Sequence, residues 1–483
     1  MPNIILNNPG FMGLADTKWS GIAGSFAKFV GLDIHSTPGT VTVQQRLVKH
    51  SGSVITSFCR ERISVSDGAR LWFSDTDGNI WRETGGTYTL VYTTSPAAGA
   101  AGCLGAAEYN GYIYWATQSR IHRTAVTDTA FASVSVNWAT FTNTDAEFHP
   151  MLVQNQRLYI GDKNYVSKVD DLLQTTFVAK ALDLLTPHRV KSLGRYEIDI
   201  LVGTTIASTV NRATVVRWDG VQNQYTYLDT IEENAVNAFL EADNGTLLQA
   251  GIVGNWYEYN GAQAIPYKRI PGTWTPTQYG EVHPTAVAMF KGIPVFGFSN
   301  SPDAANSTGN PADQGIYSFG NYSKDYPRVM TGPDFIISEN IVASIEIGGI
   351  LCEGSDLYVA WKNGSTYGVD KLSYSLKYAS AYLETLVISL DPLDFTVFDK
   401  LFSNYVSLPS GTTLTYKYKI QHAANYTTLV TKDDTLRNLF ITNETESIDQ
   451  ARAVQFRIEF TVSDNNAPVL ETIGCSYISQ QNE

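Results

Sequence analysis

A unit recurring about every 40–50 residues between positions 52 and 390 constrains this chain more than any other feature. Each copy opens on an apolar strand and a turn. A strand of the form Leu-aromatic-small follows, then a second turn, a short strand bearing an aromatic or basic residue, and a looser closing strand. The first copy holds Ala69–Phe73, Asn79–Arg82 and Tyr88–Tyr92. The second holds Gly111–Trp115 and Arg120–Arg123, the third Gln156–Ile160 and Tyr165–Lys168, the fourth Asp199–Gly203 and Thr214–Trp218. The fifth holds Thr246–Ala250 and Asn255–Tyr259, the sixth Ile293–Gly297 and Gly315–Phe319, the seventh Asp356–Trp361 and Tyr367–Asp370.

The second strands centre on Leu71, Ile113, Leu158, Ile200, Leu248, Val295 and Leu357, spaced by 42, 45, 42, 48, 47 and 62 residues. Four strands at that period are the mark of a propeller blade. Turn chemistry agrees. Asp67-Gly68, Asp77-Gly78, Asn110-Gly111, Asp219-Gly220, Asn244-Gly245 and Asn260-Gly261 fall between strand candidates, and such pairs supply the positive φ that tight hairpins need. The long last interval holds a polar, Pro/Asn-rich insertion from Ser299 to Gln314, expected as an exposed loop. A many-stranded sandwich is the competing fold.

The flanks differ. Leu414–Ile420 and Val454–Phe460 alternate apolar and polar residues, and Val469–Ile478 reads as a further strand. Period-two strands have one buried and one wet face. The expected fold class is therefore all-β: an extended N-terminal docking arm over 1–45, a seven-bladed β-propeller over 46–384, and a C-terminal antiparallel β-sandwich over 385–483. The arm mixes Gly and Asn with scattered bulky residues. Ala23–Val30 reads as a short helix, and Val41–Leu47 as a strand that could help close the ring. The apolar residues of the arm need a surface, either this chain's own propeller or a neighbouring subunit.

Aromatic residues make up 12% of the chain, with 27 Tyr, which suits pleated surfaces. The net charge of −13 argues against a dedicated nucleic-acid binder, which needs a basic face to displace counterions. Met1–Gly10 shows no signal-peptide pattern, and no run of about 18 apolar residues marks a membrane span. Cys59, Cys103, Cys352 and Cys475 are far apart and form no zinc-type pair.

Chemistry is sparse. His35, His50, His122, His149, His188, His283 and His422 show no ligand spacing, and no nucleophile elbow, P-loop or dinucleotide fingerprint occurs. Ser74–Asn79 faintly resembles the start of a calcium loop or a sialidase aspartate box, but a hairpin turn explains it more simply. Glu232/Glu233 and Asp170/Asp171 are candidate carboxylate pairs that read as turn residues. No cofactor, metal or catalytic residue is expected.

Four segments carry a family resemblance. Gly10–Asp16 (GFMGLAD), Lys28–Gly39 (KFVGLDIHSTPG), Asp399–Gly411 and Pro468–Ile473, with the ring between them, resemble tailed-bacteriophage tail structural proteins of the nozzle or tail-tip kind that contain a β-propeller. The resemblance implies a virion tail component made in the host cytoplasm, part of the tail conduit and an attachment point for neighbours. Its partners would be copies of itself in a ring and other tail or adaptor proteins. Genomic DNA would be passing cargo only, with no membrane insertion. Phe11, Trp19, Phe26, Phe29, Asp33 and His35 are the assembly contacts that follow. A receptor- or glycan-binding propeller is the alternative, and a glycosidase-type enzyme a more distant one.

Overall fold

A computed structural model describes residues 3–7, 10–18, 20–50, 55–65, 70–74, 78–94, 104–143, 147–170, 176–206, 210–242, 245–271, 279–300, 314–321, 328–339, 345–389, 396–420, 423–433, 438–441 and 448–479. Every regular element among them is a β-strand.

The repeats fold as four-stranded antiparallel meanders in chain order. The first is Cys59–Ser64, Arg70–Ser74, Asn79–Thr84 and Thr87–Thr93. The second is Ala106–Tyr109, Tyr112–Ala116, Arg120–Ala125 and Ser135–Thr140. The third is Met151–Gln154, Arg157–Asp162, Tyr165–Val169 and Phe177–Asp183. The fourth is Arg189–Tyr196, Asp199–Thr205, Ala213–Trp218 and Tyr227–Ile231. The fifth is Val236–Ala242, Gly245–Ala250, Asn255–Tyr259 and Ala264–Arg269. The sixth is Gly280–Phe290, Ile293–Asn300, Gly315–Gly320 and Val329–Phe335. The seventh takes Ile345–Glu353, Asp356–Asn363 and Thr366–Lys377 from its own stretch and borrows Gln45–Lys49 as its outermost strand. The first strands touch in sequence, and that of the seventh meander returns to Cys59–Ser64. This is a propeller-like ring.

Local chemistry explains the meanders. Asn110 and Gly111 both take positive φ, 47° and 81°, so the turn between Ala106–Tyr109 and Tyr112–Ala116 matches the strand twist. The second strands are buried almost end to end, as in Tyr159 and Ile160 of the third meander. Such strands lie between two neighbouring sheets and lose the simple alternation. Between sheets the core is aromatic and aliphatic. Trp115 packs with Ile63, Leu71 and Phe131 across the first and second meanders, and Trp218 with Tyr159 and Val190 across the third and fourth. Gly297 sits where a Cβ would run into Ile347 of the next sheet, so a close sheet approach requires glycine there.

The flanking segments interweave. Val329–Phe335, the outer strand of the sixth meander, continues through Phe26–Val30, Ala381–Thr385, Val454–Thr461 and Thr413–Ile420 to Thr427–Lys432, one sheet of nine strands. A second sheet runs Leu32–Asp33, Val41–Val43, Val469–Ser479, Thr396–Tyr405 and Asn438–Ile441, with Asn3–Ile5 and Ile448–Ala451 beside it. Leu401, Tyr405 and Ile473 of the second sheet share one buried cluster with Tyr416, Phe456 and Ile458 of the first. Tyr416 and Ser403 hydrogen-bond between the two sheets.

Three expectations change here. Ala23–Val30 is not helical. Phe26–Val30 is a strand paired with Ala381–Thr385, and this long-range pairing overrides the weak local pattern. The segment expected as an extended arm is folded, and of its two alternative surfaces it uses this chain's own: Phe11, Phe26 and Phe29, expected as assembly contacts, are fully buried in its core. Their burial against Met330 and Leu383 removes more apolar area from water than an exposed arm would. Ala381–Thr385 pairs with the C-terminal sheet, not with the seventh meander. The Ser299–Gln314 insertion falls largely outside the described residues, as do the central residues of Ser74–Asn79.

Candidate functional site

The innermost strands each have one edge facing the axis of the ring, and their backbone groups there need partners. Side chains from neighbouring strands supply several. Arg62 donates from Nε to the Ile350 carbonyl and from Nη2 to that of Val287 at 3.2 Å. Arg195 donates to Val153 O at 2.7 Å, and Thr285 Oγ1 to Arg60 O. Arg62 thereby bridges the first, sixth and seventh meanders, and Arg195 the third and fourth. What remains is a cavity of about 350 Å³ walled by Met151, Leu193, Phe239 and Met289, with buried Glu61 and half-buried Arg62 among its charged residues. Burial lowers the Arg62 pKa, opposed by Glu61 and Cys352.

A second, water-sized hollow of about 20 Å³ lies among Phe58, Arg60, Glu281, His283, Ser299 and Glu346. A space of that size accommodates one water. These residues stand near the start of the innermost strands Cys59–Ser64, Gly280–Phe290 and Ile345–Glu353, with Ser299 near the end of Ile293–Asn300. Glu346 is held by Arg60 at 3.4 Å and by Lys362. Glu281 lies 3.8 Å from Lys191. His283 contacts Thr285 Oγ1 at 2.8 Å and meets the Phe148 ring edge-on at 4.6 Å. Its pKa is pushed well below the ordinary imidazole range by burial first, then by Arg60 and Lys191. At neutral pH it is therefore an uncharged group that can exchange one hydrogen bond with a guest.

This mouth can hold a water or a small polar group. Both carboxylates are engaged with cations, so the cluster is a set of ion pairs with a neutral imidazole among them. Among the described residues, no group of three or more His, Cys, Asp or Glu is arranged to hold a metal. The mouth was not legible in the sequence, because its residues come from four strands. The available signal was a charge near the start of several innermost strands, at Arg60, Lys191, Glu281 and Glu346.

The sequence candidates lie elsewhere. Phe11 stacks on Phe26 at 5.6 Å, and Phe26 meets Phe29 edge-on at 5.2 Å. Asp33 Oδ1 accepts from the backbone N–H of His35 at 2.8 Å and of Ser36 at 3.0 Å, fixing the turn after Leu32–Asp33. Burial drives the His35 pKa down to about 4 against the pull of Asp33. Trp19 and His422 lie outside the described residues. Asp170 pairs with Arg157 at 2.6 Å. Glu233 accepts from Asn255 Nδ2 at 2.5 Å and Tyr257 OH at 3.1 Å, and burial raises its pKa. Cys352 and Cys475 are free thiols.

Replacing Arg62 with methionine keeps the bulk but strands the two carbonyls it serves. The expected cost is about 2–4 kcal/mol, read as an earlier urea midpoint. An unchanged midpoint would mean that water serves those carbonyls equally well.

No family model matches the chain, and no curated protein matches it. Among solved structures, a streptogramin B lyase is 12% identical, with 68% of this chain and 97% of that one covered and a TM-score of 0.45. A catalytically inactive virginiamycin B lyase from Staphylococcus aureus, with quinupristin, is 11% identical, with 68% and 99% covered and a TM-score of 0.48. The Dos1 propeller is 11% identical, with 68% and 95% covered and a TM-score of 0.43.

Proposed function

We propose that this chain is a passive structural component, a seven-bladed β-propeller welded to a C-terminal β-sandwich, that assembles with copies of itself in the tail of a phage virion. The observation that carries this reading is the nine-stranded sheet. It runs without a break from the sixth meander through the N-terminal strand Phe26–Val30 into the C-terminal strands. Gln45–Lys49 then completes the seventh meander. One segment thus ties the ring shut and ties the ring to the second body, which favours load-bearing over motion. The virion setting rests on the sequence resemblance.

DNA does not pass through the propeller itself. Arg62 bridges the first, sixth and seventh meanders, and the space left among the innermost strands is a cavity of about 350 Å³. Any conduit lies between copies, where the net charge of −13 would discourage sticking. Light scattering on the purified full chain tests the assembly. Particles of several chain masses are expected, and a monomer at every concentration would remove the ring.

A second reading, a binding propeller, is favoured by the neutral His283 and the water-sized hollow beside it. It predicts that Glu281→Gln and His283→Ala weaken retention of a polar glycan that inserts a single hydroxyl into the hollow. Equal retention by both variants would exclude the mouth as the binding site.

A further inference from the structure

The outward face of the nine-stranded sheet bears a built cluster in its C-terminal half. Lys417, Arg457 and Glu384 stand directly opposite one another on Thr413–Ile420, Val454–Thr461 and Ala381–Thr385. The residues beside them, Tyr416, Ile458 and Leu383, are fully buried on the other face, as period two requires. The Arg457 guanidinium lies 4.3 Å from the ring centre of Tyr382 and 4.5 Å from that of Tyr426. Its Nε donates to Glu384 Oε1 at 2.9 Å, and its Nη1 is 3.6 Å from Glu459. Lys417 Nζ is 2.8 Å from Glu459, and Lys419 Nζ lies 4.7 Å above the Tyr426 ring.

The sign of this face opposes that of the molecule. Three basic side chains, Lys417, Lys419 and Arg457, stand with two carboxylates, and Lys28 adds a fourth base opposite Glu384. The whole chain carries 47 acidic and 34 basic residues, so the acidic excess lies elsewhere on the surface. The cluster is also ordered in advance: stacking on tyrosine and mutual ion pairing fix the long side chains, which reduces the entropy lost on docking.

We propose that this basic, tyrosine-backed face docks an acidic surface on a second copy of the chain. The sign dictates the geometry. Two such faces meeting on a two-fold axis would oppose like charges, so the face meets a different surface of the next copy, and the ring proposed above makes that contact head-to-tail. A head-to-tail contact propagates into a closed ring or an open filament. The inference rests on the self-assembly proposed above and names the contact that produces it.

The test compares the full-length chain with Lys417→Gln/Lys419→Gln and Lys417→Glu/Lys419→Glu. Light scattering across a concentration series, at roughly 0.05 and 0.5 M salt, reads the assembly, and circular dichroism reads the fold. Neutralisation is expected to raise the concentration needed for assembly roughly tenfold, and reversal roughly a hundredfold. High salt should weaken the native assembly in the same direction. The neutral pair carries the test if the reversed pair fails to fold. Assembly of the native chain and the neutral pair at the same concentration, indifferent to salt, would overturn this contact and leave self-assembly standing. A native chain that stays monomeric would overturn both.

Discussion

Replacing Phe26 and Phe29 together with alanine collapses the ring closure and the C-terminal sheets in a single step. Both rings are fully buried and touch each other, and Phe26 also stacks on Phe11. A buried Phe→Ala change costs about 3–5 kcal/mol. Neighbouring changes do not add simply, but the pair still removes an amount comparable to the roughly 5–15 kcal/mol of a typical folded domain. The loss is concentrated where it matters topologically. Phe29 pairs with Gly332 of the sixth meander and with Leu383 of the C-terminal sheet, and its strand leads on to Gln45–Lys49. Hydrogen exchange should show lost protection in Val329–Phe335, Ala381–Thr385 and Gln45–Lys49, with the second and third meanders affected least. A double variant that melts cooperatively within a few degrees of the native chain would mean that the N-terminal segment decorates the fold without holding it.

The second large effect is on the dependence of stability on pH. Asp334 is 1% exposed in the outer strand of the sixth meander. Its carboxyl accepts from Thr331 Oγ1 at 2.7 Å. Burial pushes its pKa up to about 8; hydrogen bonds from Ser318 and Thr331 oppose that rise, and Asp33 across the junction adds to it. Burial lowers the pKa of Lys377 on the seventh meander, and the same Asp33 opposes that fall. The folded chain therefore keeps a proton on Asp334 that the unfolded chain releases near the ordinary value of 3.8. Stability from this group falls as pH rises from about 4 to about 8 and then levels off.

Asp334→Asn keeps an acceptor for Thr331 and removes the titration. The variant should be more stable than the native chain by several kcal/mol at pH 8. Its urea midpoint should be nearly flat between pH 6.5 and 8, where the native midpoint declines. That window also avoids His35, His122 and His149, whose pKa values burial lowers to about 4. Those groups weaken the fold only as pH falls below 6.5. Parallel native and variant slopes would contradict the assignment.

The ring was legible in the sequence because its signals are local. Leu71, Ile113, Leu158, Ile200, Leu248, Val295 and Leu357 all fall in the second strands of their meanders. An apolar run flanked by Asn-Gly or Asp-Gly turns needs nothing distant to form a hairpin. The alternating strands Leu414–Ile420 and Val454–Phe460 pair with each other as their period implies. Val41–Leu47 splits in two, however: Val41–Val43 joins the C-terminal sheet and Gln45–Lys49 the ring. The N-terminal segment was opaque because its partners lie about 350 residues away, as with Phe29 opposite Leu383. The mouth around His283 was equally opaque, because only ring closure brings Arg60 and Glu346 together.

The proposed tail role requires a rigid body that assembles without carrying anything through its own axis. Electron cryomicroscopy of the purified full chain, at a concentration where light scattering reports several copies, tests this most directly. The expected map shows a closed ring of propellers around an open axis, with each propeller's own channel filled by side chains and the Lys417–Arg457 face turned against the next copy. Single propellers at every concentration, or a propeller channel wide enough for a duplex, would contradict it.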